Sequence, residues 1–268
     1  MNEDHGAAAG RQTGVAGTDP VGPFPEPGPR RKARILLAVF AYNEGSKIQQ
    51  TLSRIPTERS YDLLVFDDGS TDGSLEEVPL WDLHAAVLRN SVNAGVGASM
   101  KHVFEYALTE DYDILAIMAG NNKDDPREIP KLLEPVLSGE WDFVQGSRFL
   151  RGGGYSMPFY RKLATQLHPL LCSLLVRRRV TESTNGFRAF SIALLRDPRI
   201  DWRQNWLDRY ELEPYLLYKA YTLGYRVKEV PVTKVYPPKH LGYTKMKPIT
   251  GWWSILRPLV LLGLGLKK

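Results

Sequence analysis

After residue 34 the chain settles into a strict alternation of short unbroken apolar runs and segments with helical spacing. The runs are ILLAVF (35–40), YDLLVF (61–66), AAVLRN (85–90), DILAIMAG (113–120) and WDFVQGSR (141–148). Runs this short and this apolar suit strands covered on both faces. Between them lies SKIQQTLSRI (46–55), with Ile48, Leu52 and Ile55 at helical spacing and Ser46 placed as an N-cap. GASMKHVFEYALTE (97–110) is amphipathic, and PREIPKLLEPVLSG (126–139) opens on a proline, which a first helical turn tolerates. Strand and helix alternating at this interval predict an α/β domain, with a mostly parallel sheet and helices on both faces.

Sheets of this kind bind ligands beyond the carboxyl ends of their strands. Each predicted strand here runs into a polar or glycine-rich segment: AYNE, DDGSTDGS, NAGVGAS, GNNKDDP and GSRF. Five such loops on one edge predict a site. Asp67 and Asp68 end the second strand, where paired carboxylates can accept hydrogen bonds from a nucleobase and a ribose, hold a metal, or simply shape a turn. Asn43 and Glu44 follow the first strand, and the carboxylate is placed to take a ribose hydroxyl. Asn93-Ala94-Gly95-Val96-Gly97 leads into a helix, whose first N–H groups favour phosphate; a tight turn is the alternative.

Beyond residue 150 the pattern changes. GGG (152–154) reads as a flexible joint, 159–176 as an apolar helix ending in Arg177, Arg178 and Arg179, and TESTNGFRAF (181–190) as polar, then strand-like. YELEPYLLYKAYTLG (210–224) reads as a helix stopped by Gly224, and YRVKEVPVTKVYP (225–237) as a strand. Residues 1–34 are rich in Gly and Pro and predict a disordered leader. The expected domain spans 35–238, followed at 239–268 by a basic loop and an amphipathic segment. The net charge is +5, and 239–268 holds six basic residues and no acid, which points to an anionic partner. The single cysteine, Cys172, rules out an internal disulfide and clustered-cysteine zinc, and its apolar surroundings mark it as packing. No apolar run reaches the roughly 20 residues that cross a bilayer. The basic tail lacks interleaved aromatics, so nucleic acid is not the expected partner.

These segments together resemble the family 2 glycosyltransferases, and within them the dolichol- and polyprenyl-phosphate sugar synthases. The matching stretches are AYNE (41–44), DDGSTDGS (67–74), NAGVGAS (93–99), DPREIPKLLEP (125–135), DFVQGSRF (142–149), ESTNGFRAF (182–190), ELEPYLLYKAYTLGYRVKEVPV (211–232) and GYTKMKP (242–248). The resemblance implies a GT-A nucleotide-sugar transferase fold and inverting transfer from a UDP- or GDP-linked donor to a polyprenyl or dolichyl phosphate. It places the donor on Ala41, Tyr42, Asn43, Glu44, Asp67, Asp68, Gly95, Gly97, Arg188 and Lys245.

The family carries D-x-D after the fourth strand, to hold Mg²⁺ or Mn²⁺ on the donor diphosphate. Those positions fall here on Ala119 and Asn121, with Lys123 close by. Three expectations follow: Asn121 and Asp125 (or Asp124) bind a metal weakly; Lys123 replaces part of the metal's charge; or catalysis is lost. Charge builds on the leaving diphosphate, so Lys123, Arg148 and Arg188 are candidate stabilising cations. Glu182 is the candidate base if the acceptor is a hydroxyl; Glu213 is a similar helix-borne acid. Lys245 and Lys247 match a loop that closes over phosphates. Trp252, Trp253, Ile255, Leu256, Leu259 and Leu262 are expected at a lipid boundary on the cytoplasmic membrane face, with Lys267 and Lys268 on anionic lipid. A hydroxyl acceptor or a non-catalytic nucleotide-sugar binder are the alternatives, and a homo-oligomer is left open.

Overall fold

The computed structural model describes residues 32–76, 78, 80–157, 159–236, 245–246 and 250–267. Most of the expected leader, and Lys247, Lys268 and most of the basic loop, lie outside them. Ala33–Lys268 forms one compact unit.

Six strands line up in parallel or nearly so: β1 (Ile35–Ala41), β2 (Asp62–Asp67), β3 (Ala85–Arg89), β4 (Ile114–Ala119), β5 (Phe143–Ser147) and, later in the chain, β8 (Val227–Pro231). A seventh, β7 (Arg188–Ser191), is inserted antiparallel, giving the order β3-β2-β1-β4-β7-β5-β8. The alternation within β1 shows why both faces are covered. Leu36 and Ala38 pack with α2 (Val96–Thr109) and α6 (Leu212–Thr222), while Ile35, Leu37 and Val39 pack with α1 (Ser46–Leu52) and α3 (Ile129–Leu137). The predicted helices on both faces are therefore present.

Three sequence expectations need correction. The predicted helix at 126–139 begins as a 3-10 turn, Pro126–Glu128, because Asp125 caps it by accepting Arg127 N–H at 3.0 Å. The predicted strand over 225–237 breaks at Val232: β8 stays in the main sheet, and β9 (Thr233–Val235) pairs with β6 (Gly154–Ser156) in a second, two-stranded sheet. Part of the expected glycine joint is therefore strand. The third concerns the tail. Helix α7 (Thr250–Gly263) packs on α6 and on α4 (Phe159–Val176), burying Ile255, Leu259 and Leu262 against protein rather than leaving them for lipid. His168 of α4 lies 3.1 Å from the Ile255 carbonyl, and Arg257 pairs with Glu211 at 3.1 Å, so α7 is tied into the fold by polar contacts as well.

Candidate active site

Parallel strands place their carboxyl ends on one rim, and the loops leaving β1, β2 and β3 are bonded to one another there, while the loop leaving β4 is bonded to α1 at Thr51. The β1 and β2 loops interlock: Asn43 N–H donates to Ser70 Oγ at 2.9 Å, Thr71 N–H to Asn43 Oδ1 at 2.8 Å, and Gly45 N–H to Asp72 Oδ2 at 3.0 Å. Asn43 holds a positive φ of 46°, a turn conformation that asparagine tolerates. Ala41 contributes its carbonyl, which accepts Asp68 N–H at 2.9 Å, and its side chain is buried.

The two aspartates at the end of β2, Asp67 and Asp68, are buried and build the rim. Asp67 pairs with Arg89 at 2.8 Å and accepts from Ser70 N–H at 2.9 Å and Ser70 Oγ at 2.5 Å. Asp68 accepts from Asn90 Nδ2 at 2.8 Å, and from Asn93 Nδ2, Ala94 N–H and Gly95 N–H at 2.9 Å each. Four donors on one carboxylate fix the β3–α2 loop to the β2 loop. The expectation that Gly95 and Gly97 open a phosphate cradle is corrected by their packing. The chain at Leu207–Arg209 seals the start of α2: Ala98 N–H donates to the Asp208 carbonyl at 2.9 Å. A Cβ on Gly95 would lie 2.6 Å from that carbonyl, and one on Gly97 would strike the Leu207 carbonyl. Both glycines are needed for that close approach.

On the other side of the rim, the loop after β4 is stapled to β9. Asp124 is 1% exposed and Lys234 8% exposed. The Lys234 ammonium donates to Asp124 Oδ1 and Oδ2 at 2.7 and 2.6 Å and to Asn185 Oδ1 at 2.7 Å. Arg54 reaches the same loop at Asn122. Lys123 lies 5.1 Å from the centre of the Tyr236 ring, and Tyr236 Oη accepts from Arg148 Nη1 at 3.1 Å. Asp125 faces Arg127, whose guanidinium holds its carboxyl below the usual carboxylate range.

Glu182 and Arg148 form a buried pair at 2.6 Å, and Glu182 also accepts from Thr184 N–H and Oγ1 at 2.8 and 2.9 Å. Burial is the largest influence and disfavours the Arg148 charge, but Glu182, Tyr236 and Asp124 together raise its pKa. Glu182, the candidate base, is thus held as the ionic partner of Arg148. Arg188 is itself buried, donating to the carbonyls of Glu213 at 2.9 Å and Asn185 at 2.7 Å; burial lowers its pKa. Neither arginine presents an open guanidinium to the rim. Their expected role as cations facing the diphosphate is replaced by one inside the loop that follows α4.

Lys245 does reach the rim. Its ammonium pairs with Glu44 at 2.7 Å, bonds the Tyr42 carbonyl and lies 5.5 Å from the Tyr42 ring centre. Glu44 also pairs with Lys47 at 2.8 Å. Cys172 is buried with its thiol pushed up to about 12, so it packs and does not react.

Sequence reasoning did not single out Lys234, Tyr236, Glu229 or His168. Glu229 accepts Thr181 N–H and Glu182 N–H at 2.9 and 2.7 Å and so carries the Glu182 loop; burial raises its pKa. His168 Nδ1 lies 2.7 Å from Ser183 Oγ in the same loop. The one available signal was the inward register of Lys234, a charge at a core position of an alternating strand.

Residues 37–198 match the family model described as glycosyl transferase family 2. Undecaprenyl-phosphate mannosyltransferase of Micrococcus luteus is 31% identical over 222 residues, covering 80% of this chain and 87% of that protein. Polyprenol monophosphomannose synthase of Mycolicibacterium smegmatis is 28% identical over 223 residues, covering 81% and 82%. The glucosyl-3-phosphoglycerate synthase of Mycobacterium tuberculosis, solved with Mn²⁺, uridine-diphosphate and phosphoglyceric acid, superposes with a TM-score of 0.63 at 20% identity, covering 88% of this chain and 80% of that one. At that identity the likeness concerns the fold. The rim of interlocked loops, the mostly parallel sheet and these matches agree: the chain belongs to glycosyltransferase family 2 and is a glycosyltransferase of GT-A fold.

Proposed function

We propose that the enzyme moves a sugar, with inversion, from a UDP- or GDP-linked donor to a polyprenyl phosphate at the cytoplasmic face of a membrane. The observation that carries this is the outer face of α4. Leu163, Leu167, Leu170 and Leu174 are each more than half exposed, spaced at three and four residues, and followed by exposed Arg177, Arg178 and Arg179. Trp253, Val260 and Leu264 of the adjoining α7 segment add exposed apolar surface. Apolar side chains this concentrated mark an interaction site, and arginines at their edge suit the anionic boundary of a lipid layer. No helix among the described residues is long and apolar enough to cross a membrane, so contact would be at the surface.

A groove of about 550 Å³ runs between α4 and Phe149, walled by Leu170, Leu174 and the three arginines. Hydrocarbon and guanidinium groups in one lining fit a lipid that ends in phosphate. Phe149 and Thr181 line it and are next in the chain to Arg148 and Glu182, so the groove abuts that buried pair. The named relatives include an undecaprenyl-phosphate mannosyltransferase and a UDP-N-acetylglucosamine–dolichyl-phosphate N-acetylglucosaminyltransferase, which supports the same acceptor class.

The acid pairing also favours phosphate over a hydroxyl acceptor. A hydroxyl needs a base, and Glu182 is buried against Arg148. A phosphate oxygen is already anionic and can attack directly. In a single displacement its lone pair forms the new bond to the sugar's anomeric carbon as the bond to the diphosphate breaks, and the electron pair leaves on the diphosphate. No proton has to move, and one displacement inverts the centre.

The test is transfer of radiolabel from UDP- and GDP-sugars to undecaprenyl phosphate in detergent. Label should enter the organic phase. Label that remains in water-soluble saccharide would favour a hydroxyl acceptor and overturn the proposal.

A further inference from the structure

The acids of the rim are already matched. Glu44 pairs with Lys47 and Lys245, Asp67 with Arg89, Asp124 with Lys234, Asp125 with Arg127 and Glu182 with Arg148, while Asp68 carries four N–H donors. A hard divalent cation needs several oxygen ligands, normally with one or two carboxylates among them. The glucosyl-3-phosphoglycerate synthase that shares this fold was solved in complex with Mn²⁺ and uridine-diphosphate. The residues here do not fit such an ion. The side chain of Ala119 has no ligand atom, and Asn121 Oδ1 already accepts Lys123 N–H at 3.3 Å. Among the described residues no group of three or more His, Cys, Asp or Glu side chains is placed to hold a metal.

The same rim supplies positive charge from two directions. Lys123 comes from the loop after β4, held in place by the Asp124–Lys234 pair next to it in the chain and by its carbonyl, which accepts Val235 N–H at 2.8 Å. Lys245 comes from the far end of the chain and reaches the β1 loop. An ammonium is a compact point charge with three donors, suited to a phosphate oxygen. We propose that this enzyme binds the donor's diphosphate with Lys123 and Lys245 in place of a divalent metal. The inference rests on the nucleotide-sugar donor proposed above. On departure, the electron pair of the broken bond settles on a diphosphate oxygen facing these ammonium groups, which lowers the barrier without a metal. Lys245 would exchange Glu44 for the incoming phosphate, leaving Lys47 on that carboxylate.

The test is calorimetric titration of the full chain with UDP and with GDP, in EDTA and in MnCl₂. Because no acceptor is present, failure of the polyprenyl assignment leaves the result intact. At least one nucleotide should bind with a dissociation constant that agrees within about twofold between the two conditions. In EDTA, Lys123→Gln should weaken that binding about tenfold or more, the size expected for losing a charged hydrogen bond. Its melting temperature should stay unchanged, which separates lost contact from lost fold. Binding that requires Mn²⁺, or a Lys123→Gln variant that binds normally in EDTA, would overturn the inference. Absence of binding by both nucleotides in both conditions would overturn the donor assignment and this inference with it.

Discussion

Replacing Lys234 by methionine isolates the buried staple beneath the β4 loop. The side chain keeps most of its length and loses its charge. Asp124, 1% exposed, then loses the ammonium that donates to both its oxygens at 2.7 and 2.6 Å, and Asn185 Oδ1 loses its 2.7 Å donor. Removing one partner of a buried pair costs about 3–5 kcal/mol, because the remaining charge is left uncompensated. For a domain of this size each kcal/mol moves the melting temperature by about 2–4 °C, so the drop should be about 6–20 °C. The double variant Lys234→Met/Asp124→Asn removes the stranded charge and should recover a large part of that loss. Circular-dichroism melts and urea titrations of the two single variants and the double variant give the coupling directly. A single-variant loss under about 1 kcal/mol, or a double variant no more stable than Lys234→Met alone, would refute the claim that the pair holds the loop.

Three further perturbations probe other parts of the molecule. Glu182→Gln should destabilise by about 3–5 kcal/mol through the stranded Arg148, while transfer measured below its melting point keeps the wild-type pH profile; loss of one limb of that profile would make Glu182 a proton acceptor. Changing both Leu167 and Leu170 to Glu should release the protein from anionic vesicles in a flotation assay, about tenfold per leucine, with its melting temperature unchanged; undiminished flotation would remove α4 from the membrane contact. His168 is buried and its pKa is lowered by burial. The unfolded chain therefore takes up this proton first, near its ordinary value of about 6.5. Stability present above that pH should fall as pH drops towards the lower folded value, and His168→Gln should flatten that slope in melts across pH 5–8.

Strands β1, β2 and β4 were legible because a parallel strand covered on both faces leaves an unbroken apolar run; β3, at the sheet edge, is largely exposed. Helix α4 was legible to the residue, since Phe159–Val176 is bounded by Arg177 and its positive φ of 52°. What escaped depended on partners distant in sequence. Nothing local says that Arg188–Ser191 will enter the sheet antiparallel between β4 and β5. Nor does the spacing of NAGVG tell a phosphate cradle from room for a crossing backbone; the carbonyls of Leu207 and Asp208 decide it from more than a hundred residues away. The acids and arginines were found as residue types, but their pairing was not, because a buried ion pair such as Arg148–Glu182 is set by which loops meet. The expected lipid contact of Ile255, Leu259 and Leu262 failed for a related reason: an amphipathic helix shows its apolar face but not what covers it, and here that is α4 and α6.

The most direct measurement of the central claim is amide hydrogen exchange of the full chain with and without saturating UDP or GDP. Protection should rise together in residues 41–45, 68–73 and 120–125, the three loops that leave β1, β2 and β4, and stay unchanged at the opposite ends of those strands. Exchange unaltered in all three loops at saturating nucleotide, or protection confined to the far end of the sheet, would contradict a nucleotide-diphosphate site on this rim.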